Sequence, residues 1–330
     1  MNSLSPKITA ELVTRIQHGF PITNQPFLTL AEKLGCTQSE IMSKIKSLIH
    51  DHTIREFGPV FDPVRLGYSS TLVAARVEPE RVAELSASLL EIHEITHNYY
   101  REGQFNVWFT ITARYGSTIE TIIRGVEKFP GVIRVLDLPA SKVFKISTVF
   151  GSEVSFMKPR SDAAIVPLSD KEKNVIRALQ NGLPIVERPF TAVAEELGME
   201  ETYIFELINR WIENGTIRRF GARVNHRQIG YVFNILAVWD GEQIERWGEQ
   251  FAEMREVSHC YLRKSYPEWP YKLYTMIHAK NLNEMQETIQ AMKTIADGAD
   301  MVALKTLYEL KKVSMKYFVE NETWNSPQKE

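Results

Sequence analysis

The chain has very little cysteine: Cys36 and Cys260 are the only two in 330 residues. They show no metal-ligand spacing and no disulfide framework, so a reducing compartment is expected. No run approaches the ~18 consecutive apolar residues of a membrane helix. The N-terminus, MNSLSPKITAELVTRI, is polar and then amphipathic, without the apolar centre of a secretory signal. Neither sign of charge dominates, since 39 Lys and Arg against 41 Asp and Glu leave a formal net charge of −2. Nothing global therefore draws the chain to nucleic acid or to an anionic membrane. These absences predict a cytoplasmic protein with no membrane association. At 44% hydrophobic and 24% charged residues the composition is that of an ordinary globular protein. The length suits two domains of ~150 residues each.

What the chain does have is an internal duplication. GFPITNQPF (19–27) matches GLPIVERPF (182–190), LAEKLG (30–35) matches VAEELG (193–198), and IREFGPVFDPVRLGY (54–68) matches IRRFGARVNHRQIGY (217–231). Phe27 and Phe190 lie 163 residues apart, as do Tyr68 and Tyr231. His97 and His259 are separated by 162, and Phe105 and Tyr271 by 166. The second half has thus gained residues between Arg263 and Tyr271, where Pro267 and Pro270 predict a loop. The halves meet near 151–168, a polar, Pro-containing stretch without periodicity.

Each half begins with helical patterns. ITAELVTRIQ has apolar residues at helical spacing, LTLAEKLG stops at Gly35, and TQSEIMSKIKSLIHDH opens on Thr37, a plausible N-cap. TIREFGPVFD then alternates like a hairpin, completing a winged helix-turn-helix. A strand at 69–77, a helix at 80–91, a strand pair at 94–100 and 105–113, a helix at 117–128 and edge strands at 132–137 and 142–149 follow. The order βαββαβ predicts a ferredoxin-like α/β sandwich. The expected fold class is α+β, a tandem duplication of winged helix-turn-helix plus ferredoxin-like (βαββαβ) sandwich domain. Winged-helix domains are expected at 1–62 and 168–225, ferredoxin-like domains at 63–155 and 226–330, and a linker at 156–167.

This layout resembles the leucine-responsive family of transcription regulators, which makes DNA binding a natural hypothesis. The charges oppose it. The second candidate recognition helix, EETYIFELINRWIEN (200–214), opens on two glutamates, carries Glu206 and has Arg210 as its only cation. Such a helix is repelled by phosphate. The first offers only Lys44 and Lys46 as cations. DNA binding is not expected, and these helices read as packing and dimerisation modules.

A polar cluster occurs twice: HNYYREGQFNVWFT (97–110) and HCYLRKSYPEWPYKLYT (259–275). Side chains alternate along a strand, so His97, Tyr99 and Arg101 share one face, as do His259, Tyr261 and Arg263. One histidine on a strand is usually structural and one arginine usually solvated. Three together, repeated in both halves, point to a site. Arginine forks onto carboxylates, tyrosine orients, and histidine exchanges a proton or ligates a metal. The set suits a multiply anionic ligand with something to protonate. Trp108, Phe109, Tyr271, Tyr274 and His278 flank it. Aromatics on alternate strand positions are usually core, but they also suit a flat macrocycle. His226 and Arg227, in NHR (225–227), read first as a turn in which Asn225 hydrogen-bonds locally. They remain candidates for substrate contact.

FGPVFDPVRLGY, HNYYREGQFNVWFT, NHRQIGY and HCYLRKSYPEWPYKLYTMIH resemble the motifs of the sirohaem decarboxylases, and the resemblance runs along nearly the whole chain. Each half resembles one subunit type, so the chain looks like a natural fusion of the usual heterodimer. The resemblance implies loss of carbon dioxide from the acetates on two pyrrole rings of sirohaem, giving didecarboxysirohaem, in the synthesis of haem or of the nitrite-reductase haem. It implies no added cofactor, because the iron comes with the substrate. His97 and His259 are the implied catalytic residues. His97 leads as acid, and His259 is a second acid or an axial ligand to the substrate iron; the ligand assignment stays open between the two histidines. Tyr99, Arg101, Trp108, Tyr261, Arg263, Tyr274, His226 and Arg227 are the implied substrate-binding residues. Pairing through edge strands and N-terminal helices implies a homodimer. A tetrapyrrole-sensing or amino-acid-sensing regulator and a non-catalytic haem carrier are the alternative readings.

Overall fold

The structure, a computed structural model, describes residues 4–146 and 164–319. In chain order the first half contains α1 (Pro6–His18), α2 (Pro26–Leu34), α3 (Gln38–His50), β1 (Ile54–Phe61), β2 (Ser69–Val77), α4 (Val82–Leu90), β3 (Ile95–Arg101), β4 (Val107–Ala113), α5 (Gly116–Glu127) and β5 (Val132–Ile146). The second half repeats the order with α6 (Asp170–Leu179), α7 (Pro189–Leu197), α8 (Glu201–Glu213), β6 (Ile217–Val224), β7 (Phe233–Asp240), α9 (Ile244–Glu253), β8 (Val257–Arg263), β9 (Leu273–Ala279), α10 (Leu282–Ile295) and β10 (Asp300–Lys312). Most of the 151–168 junction, and of the expected 156–167 linker, lies outside the described residues, as do positions 147–149 of the expected edge strand.

Two compact units result, and both mix the halves. In the first, the helices start where the sequence places their caps. Thr37 accepts from the backbone N–H of Glu40 while the Glu40 carboxylate accepts from that of Thr37, and Ser169 and Glu172 repeat this box. Gly35 and Gly198 end α2 and α7 in the left-handed conformation. The expected hairpin in TIREFGPVFD does not form. The segment is the single strand β1, which pairs antiparallel with β6. Its burial does not alternate. Gly58 stands opposite Gly221 at the centre of this two-stranded sheet. Gly221 has φ +151°, and a Cβ there would lie 2.1 Å from the Ile16 carbonyl oxygen, so this position allows the strand to pass against α1. Phe20 packs on Phe27, Phe57 and Phe220 beside it.

The second unit corrects the expected fold. The two ferredoxin-like sandwiches are replaced by one closed eight-stranded barrel, in the order β10-β3-β4-β2-β5-β8-β9-β7. The cause is the length of β5 and β10. Each is long enough to pair with its own half and then continue onto the other: β5 binds β2 and β8, and β10 binds β7 and β3. The reading of two short edge strands at 132–137 and 142–149 missed that β5 runs through Pro139 without interruption. Closure leaves no unpaired strand edge in the barrel. Helices cover the outer faces. Val73, Ala75, Ile95, Val107, Phe109 and Ile111 pack under α4 and α5, and Ala237, Trp239, Val257, Leu273 and Ile277 pack under α9 and α10. The opposite faces of the strands send Ala74, Trp108, Leu136, Leu138, Leu236, Val238, Tyr274 and Leu304 inward as a third core. Full burial of one such large apolar side chain stabilises by about 1.5–3 kcal/mol.

Candidate active site

Residues 97 to 101 sit on β3 and residues 259 to 263 on β8, so period-two alternation gives each strand an inward file of His, Tyr and Arg. Tyr99 packs with the inward core. The files have nearly the same geometry. The His97 and Tyr99 ring centres are 6.3 Å apart, and the Arg101 guanidinium lies 4.8 Å from the Tyr99 ring centre. The corresponding separations are 6.1 Å for His259 and Tyr261 and 4.7 Å for Arg263 and Tyr261. Both are cation–π contacts at stacking distance.

Barrel order places β3 and β8 on opposite walls, four strands apart either way. Because every neighbouring pair is antiparallel, strands four apart run parallel. The two files therefore run in the same direction along the barrel, His to Arg. His97 is close enough for its charge to act on His259.

The arginines are fixed from behind. Arg101 Nη1 donates to the Leu304 carbonyl at 3.3 Å and to Thr306 Oγ1 at 2.6 Å, and Thr306 Oγ1 donates to Asn234 Oδ1 at 2.5 Å. Arg263 Nη1 donates to the Leu138 carbonyl at 2.7 Å. In both, Nε is buried without a hydrogen-bond partner among the described residues. Burial lowers the Arg101 pKa to about 10, opposed by Tyr99 and Glu309, so the guanidinium stays charged at neutral pH. Burial also lowers that of Arg263, opposed by Tyr261, Tyr274 and Asp137. Two buried guanidiniums, each with an Nε donor unpartnered among the described residues, are a favourable setting for carboxylates.

The histidines differ in their support. Thr96 Oγ1 lies 2.9 Å from His97 Nδ1. Ser258 Oγ lies 2.9 Å from His259 Nδ1 and also donates to the Met276 carbonyl at 3.2 Å. A hydroxyl that donates to the Met276 carbonyl can accept from Nδ1–H, the tautomer that leaves the lone pair of neutral His259 on Nε2. Burial pushes the His259 pKa down to about 3, aided by the charges of His97, Lys312, Arg263 and Lys145. His259 nonetheless keeps intermediate exposure.

Trp108 and Tyr274 are core residues. Trp108 Nε1 donates to the Phe105 carbonyl at 2.7 Å, and Tyr274 Oη accepts from Trp269 Nε1 at 2.9 Å. Trp269 belongs to the longer loop of the second half and packs on Phe105 and Trp108. His226 and Arg227 fall in the other unit, His226 buried and Arg227 exposed. There Asn225 Oδ1 accepts from the Arg227 backbone N–H, forming the local turn expected of it. The sequence reading missed Glu309 and Lys312, which lie opposite Tyr99 and His97 on β10. Only a register between distant strands reveals them.

Among the described residues no cluster of His, Cys, Asp and Glu could hold a metal ion, and no helix is long and apolar enough to cross a membrane. The AsnC-like ligand binding domain family matches residues 65–145 and 228–311, which are the barrel strands and their helices. The Siroheme decarboxylase NirDL-like HTH domain family matches 10–55 and 172–218. A siroheme decarboxylase of Hydrogenobacter thermophilus is 32% identical over 94% of this chain and 95% of its own length. The chain belongs to the sirohaem decarboxylase family. The NirDL subunit of Paracoccus denitrificans is 29% identical over 87% of this chain and 89% of its own. A crystal structure of siroheme decarboxylase NirDL in co-complex with an iron-uroporphyrin III analogue superposes with a TM-score of 0.72 at 28% identity, covering 95% of both chains. A siroheme decarboxylase beta subunit of Oleidesulfovibrio alaskensis is 40% identical over 46% of this chain and 97% of its own, so one half corresponds to a whole subunit there.

Proposed function

We propose that the chain decarboxylates sirohaem without oxidation, converting two ring acetates to methyl groups to give didecarboxysirohaem for haem or nitrite-reductase haem synthesis. The observation that carries this reading is the pair of inward His-Tyr-Arg files on opposite barrel walls, in a chain of this family. The iron belongs to the substrate, and the reading requires no other cofactor.

In each turn the bond between the acetate methylene and its carboxylate breaks, carbon dioxide leaves, and the electron pair stays on the methylene, delocalised into the macrocycle. A proton then forms the methyl group. Arg101 and Arg263 hold carboxylates, with Tyr99 and Tyr261 stacked to set the guanidinium planes. His97 supplies the proton. His259, neutral with its lone pair on Nε2, suits the axial position on the substrate iron better than the acid role. Trp108 and Tyr274 brace the files from the core, and Tyr274 lies 5.7 Å from the Arg263 guanidinium. His226 and Arg227 take no step in this scheme.

DNA is not a partner in this reading. Glu206 and Glu213 of α8 are exposed, and its Arg210 is ion-paired with Glu172. The homodimer of this reading uses surfaces other than the barrel strand edges, which are paired among the described residues; light scattering on the eluted protein tests it. A cytoplasmic location goes with the same reading.

The test is anaerobic incubation of the purified chain with sirohaem, followed by mass spectrometry of the extracted pigment. Successive loss of two carbon dioxide masses is the expected result. A bound pigment of unchanged mass overturns the enzyme reading in favour of a carrier or sensor.

A further inference from the structure

The two files match, but the strands that flank them do not. Along β10 the residues opposite Arg101, Tyr99 and His97 are Thr306, Glu309 and Lys312. Along β5 the residues opposite Arg263, Tyr261 and His259 are Ala140, Val143 and Ile146. The registers slip at equivalent places in both pairs, so the three comparisons are between equivalent positions. At every one of them a polar residue on β10 is replaced by an apolar one on β5.

The polar set is connected. Thr306 binds Arg101. Glu309 acts electrostatically on Arg101, and Lys312 Nζ lies 3.5 Å from its carboxylate, with both side chains partly buried. Lys312 also acts on His259 across the barrel, so its ammonium lies at the end that both histidines share. A lysine elsewhere on the same strand is structural: Lys311 Nζ donates to the Leu90 and Ile92 carbonyls, as Lys145 on β5 donates to that of Met254. Those two lysines are equivalent in the duplication. Lys312 has no such counterpart, because Ile146 stands in its place.

We propose that Lys312 binds a substrate carboxylate at the His97 file alone, exchanging its contact with Glu309 for that carboxylate, and so makes the two files unequal in the reaction. This rests on the decarboxylase reading. When Lys312 turns to the incoming carboxylate, Glu309 stays in place and keeps its electrostatic contact with the Arg101 guanidinium, on which it already acts. The apolar β5 wall offers no equivalent cation. A cation beside a carboxylate resists its loss as carbon dioxide, so Lys312 holds a carboxylate that is retained while the neighbouring acetate reacts at His97.

The test compares wild type with Lys312→Met, Lys312→Arg and, as the equivalent-position control, Ile146→Met. Iron-uroporphyrin III serves as a carboxylate-rich probe of binding by its absorption band, and anaerobic sirohaem turnover is followed by the ratio of mono- to didecarboxylated pigment. Lys312→Met is expected to weaken probe binding roughly tenfold to hundredfold, the range for one charge-assisted hydrogen bond. It is also expected to change the product ratio. Lys312→Arg should restore most of both, and Ile146→Met should change neither. Circular dichroism confirms that each variant is folded. Wild-type affinity and product ratio in a folded Lys312→Met variant overturn the proposal, as does an equal loss in Ile146→Met. If the wild type binds the probe but leaves sirohaem unchanged, the decarboxylase reading fails, while the Lys312 comparison is still decided by probe affinity.

Discussion

The guanidinium of Arg101 lies flat against its own strand neighbour, 4.8 Å from the ring centre of Tyr99. Arg101 is buried and its Nη1 already donates to the Leu304 carbonyl and Thr306 Oγ1, while its Nε is buried without a partner among the described residues. Arg101→Lys keeps the charge but loses the plane, the fork and the ring contact. Sirohaem affinity is expected to fall roughly tenfold, measured by anaerobic absorption titration, with little change in melting temperature. Equal affinity in the lysine variant would mean that only charge matters there.

The two histidines are expected to fail differently. His97→Asn should still bind sirohaem and hold its iron spectrum while turnover drops by about 100-fold, the scale of general-acid catalysis. His259→Asn should alter the iron spectrum itself. Stopped turnover and absorption spectra on the same samples separate the two outcomes, and an unchanged spectrum in His259→Asn removes the axial assignment.

His259 also makes stability depend on pH. Its pKa is about 3 in the folded chain against an ordinary 6.5. Between those values the unfolded chain takes up a proton and the folded chain does not. The contribution is therefore fully present above pH 6.5 and is lost as pH falls toward 3. Urea midpoints of wild type should fall from pH 7 to pH 5 more steeply than those of His259→Asn. Parallel slopes would show that the ring is protonated in the folded state.

At the crossing of β1 and α1, Gly221→Ala places a methyl group 2.1 Å from the Ile16 carbonyl oxygen at a φ of +151°. A loss of about 2 kcal/mol or more is expected from denaturant titration. Gly58→Ala should cost less, because its nearest neighbour, the Leu179 carbonyl oxygen, is at 3.3 Å.

In the longer loop of the second half, Trp269→Ala removes ring contacts to Phe105, Trp108 and Tyr271 and the donor to Tyr274. A loss of about 3–5 kcal/mol is expected, as for other buried tryptophans. Near-wild-type stability would show that the loop only covers a core that holds without it.

What was readable in the sequence was whatever is local or repeated. The His-Tyr-Arg files follow from period two, and the extra loop residues follow from the change in offset between His259 and Tyr271. The start of α3 follows from Thr37 and the end of α2 from Gly35. The fold of the second unit was not readable, because βαββαβ order is the same in an open sheet and in half of a closed barrel. What decides between them is whether β5 and β10 keep going past their own sheets, which no local pattern shows. β1 was misread for a similar reason, since its partner β6 is 163 residues away at Gly221. Lys312 and Glu309 carry no local motif, and their meaning comes only from facing His97 and Tyr99.

Each half lends its last strand to the other's wall. Such mutual lending ties the halves into one cooperative object, because fraying of β5 opens the seam at β8 as well as the one at β2. It also changes what evolution can vary. The length and pairing of β5 and β10 are held by both halves at once, whereas the side chains they send into the shared interior answer to neither half's own helices. A duplicated chain built this way can keep its frame symmetric while its interior specialises, which is the pattern seen where Lys312 faces one histidine and Ile146 the other.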